Sequence, residues 1–566
     1  MTAPFRAPLP GEPWWRDAVI YQVYPRSFAD SGGDGIGDLR GVLIRLDHLV
    51  DLGVDAVWLS PFYPSPQVDN GYDISDYRGV DPVFGTLDDL DALIAALHAR
   101  GIRLVIDVVV NHTSDQHPWF QASRSDREDL RRGWYYWRDG RDGKPPNNWG
   151  SLFSGPAWEL DPATGQYYLH TFAAGQPDLD WQHGGMRSAV HDMLRWWLDR
   201  GVDGFRLDVI SMIGKDPTLP DGPVPEGAQY AAPSMGFAPS LHEHLQELHR
   251  EVLAGRDLVT IGETPGASIE QARLIADPRR RELDMVFDFA HVSLDHGASK
   301  WDHVAVPLPT LKGCLAAWQQ GLADHGWNSL YWDNHDQPRV VSRFGDDGAH
   351  RVASAKTLAT VLHLHRGTPF VYQGEEIGMT SAHFTALEQY RDLESRGAAA
   401  DLRATGHDEA AVLSALAAAS RDNARTPVQW DDGPQAGFTT GTPWISVNPN
   451  AAEINVAAQR GEPHSVLAHY RRLIALRHDE PALALGSFAL LLPDHDQLWV
   501  IVRRHGDVEL LVVANCSAQA VTLPAELRPR PGDELLLDLA GGAPDALGPW
   551  HSRVHRRRRG AGSAAT

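Results

Sequence analysis

The chain has 566 residues, enough for a large core and more than one domain, and its 43% apolar and 22% charged residues are those of an ordinary globular protein. A formal net charge of −23 argues against nucleic acid and anionic membrane as partners and suits a neutral ligand. Cys314 and Cys516 are too far apart in sequence to suggest a disulfide framework or a zinc site, and neither an apolar leader nor a membrane-length run is present, so a cytoplasmic protein is expected.

Apolar, strand-like runs lie at Val19–Tyr24, Ala56–Leu59, Leu104–Val110, Gly204–Ile210, Leu258–Gly262, Met285–Phe289, Ser329–Trp332 and Phe370–Tyr372. Amphipathic segments alternate with them, at Leu87–Arg100, Ser188–Arg200, Pro239–Val252, Leu311–Leu322 and Ala353–His365. Repeated β-then-α units predict an α/β fold, a closed (β/α)8 TIM barrel with right-handed crossovers, over residues 1–111 and 179–484. Two connections exceed ordinary loop length. Residues 112–178, aromatic and rich in Gly and Pro, predict a subdomain inserted after the third strand. Residues 380–422 form an Ala/Glu-rich helical insertion after the eighth. Both leave from one rim and are expected to wall a pocket. From 485 to 566, short alternating runs such as Leu498–Val502 and Glu509–Val513 predict a C-terminal antiparallel β domain of sandwich type. Its basic run, His555–Arg559, reads as a solvated, flexible tail.

Four blocks close apolar runs with chemistry-bearing residues: Asp107–His112 (DVVVNH), Gly204–Asp208 (GFRLD), Ile261–Glu263 (IGE) and Asn334–Asp336 (NHD). The C-terminal ends of barrel strands are where such folds carry catalysis. Arg206 and Asp208, two apart on a strand, point to the same side. A guanidinium beside a carboxylate is expected to hold it ionised, as a nucleophile requires. Glu263 ends the next strand, where neighbouring carboxylates oppose its ionisation and suit it to be a general acid. Asp336 supplies a third carboxylate, and His112 and His335 suit hydrogen bonds to sugar hydroxyls. Three carboxylates on one rim describe a glycoside-cleaving site, and for a retaining enzyme two of them should lie roughly 5–5.5 Å apart.

These blocks resemble the α-amylase family of retaining glycoside hydrolases, and so do GVDAVWLSP at Gly53–Pro61, QPDLDW at Gln176–Trp181 and GTPFVYQGEEIGM at Gly367–Met379. The resemblance runs from about Trp14 into the C-terminal domain. It implies that Asp208 is the nucleophile, Glu263 the acid/base, and Asp336 the carboxylate binding the 2- and 3-hydroxyls. Arg206, His112 and His335 would grip the reacting sugar, Tyr72 would stack on it, and Asp73 (NGYD) would close the pocket at the non-reducing end. Arg425 (RDNARTPVQW) would join them. Within the family, FRLDVISMIGKDP, TIGETPG and SLYWDNHDQPRVVSRFGDD resemble the oligo-1,6-glucosidase and α-glucosidase subgroup. Val209 after the nucleophile resembles its α-1,6-preferring members.

The implied activity is exo-hydrolysis of terminal α-1,6, or α-1,4, glucosidic bonds in isomaltose, isomalto-oligosaccharides, maltose or sucrose, by a monomer or homodimer. An α-1,4-preferring α-glucosidase or transglucosylase and a sucrose isomerase remain alternatives. The isomerase RLDRD stretch is replaced here by VSLDHGASKWD. An inactive transporter-associated homologue would have lost the carboxylates. DSGGDGIGDL at Asp30–Leu39 resembles the subgroup's structural calcium (or magnesium) loop, with Asp30, Asp34, Asp38 and the Ile36 carbonyl as ligands. Gly32 stands where relatives often have Asn. The hydrolysis itself needs no cofactor.

Overall fold

A computed structural model describes residues 4–226 and 228–558. Eight parallel strands form the central sheet: β1 (Ile20–Val23), β2 (Ala56–Leu59), β3 (Arg103–Val109), β7 (Gly204–Asp208), β8 (Val259–Glu263), β9 (Met285–Phe287), β10 (Ser329–Leu330) and β11 (Thr368–Tyr372). Their spatial order is β10-β11-β1-β2-β3-β7-β8-β9, and a parallel bridge from Val286 to Asn328 brings the two ends together as a barrel. The helices that follow lie close to the expected ones, for example Leu87–His98, Gly184–Arg200 and Arg351–His363.

Alternate residues of each strand face inward. Ile20, Ala56, Trp58, Val105, Val259, Ile261, Met285, Phe287 and Phe370 make the inner core, while Leu104, Ile106, Phe205 and Leu207 pack outward among the helices. The same alternation places Gly204, Arg206 and Asp208 in one inward column, beside Val259, Ile261 and Glu263. Gly204 permits the close approach of these two strands, because a Cβ there would lie 2.5 Å from the Val259 carbonyl oxygen.

Between β3 and β7 a small antiparallel sheet forms from β4 (Trp137–Arg138), β5 (Trp158–Asp161) and β6 (Gln166–Leu169), in the order β4-β6-β5. Bridges from His112 to Asp178 and from Tyr135 to Leu179 tie its two ends to the barrel rim. After β11 come the helices Leu393–Ala404, Glu409–Ala419 and Asp422–Arg425. The C-terminal part holds β12 (Ser487–Leu491), β13 (Leu498–His505), β14 (Val508–Asn515), β15 (Val521–Thr522), β16 (Glu534–Asp538), β17 (Ala546–Leu547) and β18 (His551–Arg558).

The basic run departs from expectation. His555–Arg558 belongs to β18, which lies inside the sheet, paired with β14 on one side and β16 on the other. Its arginines reach acidic partners: Arg556 to Glu534 and Glu480, Arg557 to Asp533, Arg558 to Asp507. A sheet interior supplies every backbone group with a partner, and this outweighs the repulsion that made the run look like a tail. Arg559 and the residues after it lie outside the described residues.

Candidate active site

Arg206 is buried at the barrel mouth and serves three carboxylates. Its Nη1 donates to Asp107 Oδ1 at 2.9 Å and to Asp208 Oδ1 at 2.7 Å, and its Nη2 lies 2.7 Å from Glu263 Oε2. The strand ends abruptly after Asp208: Val209, expected to continue it, adopts φ 36°, ψ 40°. A β-branched residue in this left-handed region costs on the order of 1–3 kcal/mol. The turn aims the Val209 N–H at Glu263 Oε2, 3.0 Å away. Glu263 Oε2 therefore has two donors, and among the described residues Oε1 and Asp208 Oδ2 have none. Each acid keeps one oxygen for chemistry.

The expectation that Arg206 would dominate the ionisation of Asp208 is corrected. Burial raises the Asp208 carboxyl well above the ordinary range; Arg206 opposes this, and Glu263 and Asp107 reinforce it. Burial raises Asp107 as well. One guanidinium thus faces three carboxylates, and for Asp107 and Asp208 burial outweighs it.

Asp336 contrasts with this. Burial works against its charge, but His335, Arg421 and Arg425 outweigh burial and hold it well below the usual carboxylate range. Arg425 Nη2 donates to Asp336 Oδ1 at 2.6 Å and its Nε to the His335 carbonyl at 2.8 Å. Gln22 Nε2 lies 2.8 Å from His335 Nδ1, so that nitrogen accepts, and Nε2 bears the proton facing Tyr72 Oη (2.6 Å) and Asp336 (3.1 Å). Tyr72 also donates to Asp107 at 3.0 Å. His112 is buried, which lowers its pKa to about 4, so a neutral ring stands beside Gln176.

These groups surround a cavity of about 260 Å³ lined by Asp69, Tyr72, His112, Asp208, Glu263 and Asp336, with Phe153, Phe172 and Met235 as apolar walls. Arg206 and His335 support it from beneath. Two assignments change. Asp73 is fully buried, and its oxygens accept the backbone N–H groups of Val68 (2.8 Å) and Asp69 (3.0 Å); it does not line the cavity. Asp69 does, held by Arg421 at 3.1 Å and Gln176 at 3.1 Å, with burial pushing its pKa up to about 7 against the pull of Arg421 and Arg425. Likewise Arg421, not Arg425, lines the cavity, and Arg425 acts from behind through Asp336. In both segments two like residues stand four apart, at 69/73 and 421/425. Sequence alone offered no way to choose. The positive φ of Asn70 (50°) and Gly71 (103°) folds that turn back so that Asp73 meets its backbone. Phe153, Phe172 and Glu394, from the long insertions, and Lys300, from the connection after β9, were also missed.

The metal loop also departs from expectation. Asp30 Oδ1 accepts from Gly32 and Gly33 N–H, and Oδ2 from Gly35 N–H and the Thr439 hydroxyl. Asp34 accepts from Ile36 N–H; Asp38 caps the helix Leu39–Ile44 and binds Ser31. Among the described residues, no three His, Cys, Asp or Glu side chains are grouped to hold a metal. This donor set does not fit a calcium ion, because Asp30 and Asp38 already spend both oxygens on protein donors and Asp34 keeps only Oδ2.

Comparison with known proteins gives a consistent result. Residues 22–486 match the α-amylase catalytic domain family. The chain is 50% identical to an oligo-1,6-glucosidase of Parageobacillus thermoglucosidasius, over 96% of this chain and 99% of that protein. It is 48% identical to a trehalose-6-phosphate hydrolase of Escherichia coli strain K12, over 89% and 91%. Among solved structures, an isomaltulose synthase from Klebsiella sp. LX3 superposes with a TM-score of 0.92 at 42% identity, covering 96% of this chain and 100% of that one.

Proposed function

This chain belongs to the α-amylase family of glycoside hydrolases, and from that premise we propose that it is a retaining, exo-acting α-glucosidase for terminal α-1,6 bonds of short, neutral oligosaccharides. The observation that carries the reading is Arg206 bridging Asp208 and Glu263 at the floor of a cavity that Asp69 and Arg421 also line. A pocket closed beyond the terminal sugar suits cutting from the end.

In the first step Asp208 Oδ2 attacks C1 of the terminal glucose as the bond from C1 to the glycosidic oxygen breaks. Glu263 gives its Oε1 proton to that oxygen, and the leaving sugar departs. In the second step Glu263 takes a proton from water, the water oxygen bonds to C1, and the ester bond to Asp208 breaks. Two inversions give net retention. Asp336, charged throughout, binds the 2- and 3-hydroxyls; Asp69 and Arg421 replace Asp73 at the non-reducing end. His112, neutral, and His335 supply hydrogen bonds, and Tyr72 forms a wall.

The charge balance of the cavity favours neutral over phosphorylated glucosides. Its lining cations are Lys300 and Arg421. Glu394 holds Lys300 at 2.6 Å, and Arg421 is shared among Asp69, Asp336, Asp392 and Glu394. Neither has charge to spare for a phosphate. The free thiols Cys314 and Cys516 suit a cytoplasmic setting for a monomer or homodimer; among the described residues no helix is long and apolar enough to cross a membrane.

The test is kcat/KM on isomaltose, maltose, sucrose, trehalose 6-phosphate and a nitrophenyl α-glucoside, with the product anomer read by NMR. Isomaltose should lead, releasing α-glucose. Maltose in the lead would overturn the linkage, an isomerised product from sucrose would make the chain an isomerase, and β-glucose would end the retaining mechanism.

A further inference from the structure

A second depression, about 300 Å³, opens beside the active-site cavity and shares Leu152, Phe153 and Glu394 with it. The remaining wall comes from the loop bearing Ser299 and Trp301 and from the helix Leu393–Ala404 with Thr405 after it. Nothing in the two chemical steps uses it.

Its lining suits a sugar. Trp301 is half-buried, packed against the cluster that includes Ala398 and Ala399, and Lys300 Nζ lies 5.2 Å from the centre of its ring. Trp301, Phe153 and Leu152 offer apolar surface to the C–H faces of a pyranose. Ser299, Asp401 and Thr405 are exposed and can bond to hydroxyls. Its carboxylates, Glu394 and Asp401, leave no unpaired positive charge to attract an anion. The continuity matters most: the ion pair of Lys300 with Glu394 stands at the border, so a chain leaving the active-site cavity past it enters the groove directly.

We propose that this groove carries the third sugar unit of an isomalto-oligosaccharide, with Trp301 as its platform, so that the enzyme prefers isomaltotriose to isomaltose. The inference rests on the α-glucosidase reading above and adds a chain-length preference to it. Contact with an aromatic platform worth about 1 kcal/mol corresponds to roughly fivefold in kcat/KM.

The experiment compares kcat/KM for isomaltose and isomaltotriose in the unmodified protein, Trp301→Ala and Thr405→Trp. The second variant fills the groove from an exposed position, so it does not depend on the packing beneath Trp301. The expected result is a several-fold preference for isomaltotriose in the unmodified protein, lost in both variants with isomaltose unchanged. An identical ratio in all three proteins overturns the groove, as does a parallel fall on both substrates, which would mark damage to the shared cavity. Failure of the unmodified protein to hydrolyse isomaltose would instead sink the α-glucosidase reading, and the groove with it.

Discussion

Two acidic clusters sit in this barrel and meet opposite fates. Asp208 and Glu263 close strands, and Asp336 follows one; all three line one cavity, and among the described residues Asp208 and Glu263 each keep an oxygen without a donor. Asp30, Asp34 and Asp38 are equally dense in sequence, yet nearly all their oxygens accept from nearby N–H and hydroxyl groups, Asp34 Oδ2 excepted. Strand geometry explains the difference. A strand's backbone is satisfied by its neighbours, so a carboxylate at its end has no local donors to accept. A Gly-rich loop has unpaired N–H groups at every bend, and Asp is the side chain best able to cap them. Acidic density alone does not make a site; the state of the surrounding backbone decides.

The largest effect should come from the strand-end cluster. Asp208→Ala is expected to lower kcat on a nitrophenyl α-glucoside by on the order of 10⁴-fold or more. Added azide should restore turnover by attacking C1 from the vacated side, giving the β-glucosyl azide. Activity close to the unmodified level would place the nucleophile elsewhere. Arg206→Met should cost about 10²–10³-fold, since it removes the charge that Asp208 and Glu263 share. Its pH profile is the sharper readout. Arg206 lowers the Asp208 pKa against burial, so its loss raises that pKa further. The limb of kcat/KM that requires ionised Asp208 should then begin at higher pH than in the unmodified protein. A profile that falls in height without moving would show Arg206 to be a structural ion pair.

A smaller effect separates the like pairs four residues apart. Asp69→Asn and Arg421→Ala should each lower kcat/KM by about 10–100-fold, the scale of losing a buried charged hydrogen bond to substrate. Asp73→Asn should lower the melting temperature instead, because its two backbone bonds brace the turn, while kcat/KM of the folded fraction stays close to normal. The reverse pattern would return Asp73 to the non-reducing end.

These pairs also mark how far the sequence can be read. Barrel order, the four strand-end blocks and the convergence of Asp208, Glu263 and Asp336 on one cavity were legible, because strand period and strand termini fix which side chains share a rim. Val209 was less so: its run of apolar neighbours looks like strand, and only the bond from its N–H to Glu263 explains the sharp turn. Arg421 stands within RDNARTPVQW and Asp69 just before NGYD, but the choice of Asp69 over Asp73 depends on a loop fold with positive φ at Asn70 and Gly71. Lys300, Glu394 and Phe153 come from long connections whose packing has no short-range signature. The arginines of β18 show the converse, a charged run that tertiary pairing turns into sheet interior.

The smallest expected effect concerns the loop that lost the comparison. If its carboxylates serve their own backbone, EDTA and millimolar calcium should leave the melting temperature unchanged. A metal present at a hundred times its Kd would add about 2.7 kcal/mol, which a melting scan would register. Two causes could exclude it: the missing side-chain oxygen at Gly32, or the occupied oxygens of Asp30 and Asp38. Gly32→Asn separates them, since position 32 has room for a side chain, with only Asp30 Oδ1 near a Cβ, at 3.6 Å. If the missing ligand were decisive, the variant would gain calcium-dependent stability. The hydrogen bonds from Gly33, Gly35 and Thr439 to Asp30 remain in the variant, so its melting temperature should stay independent of calcium, like that of the unmodified protein.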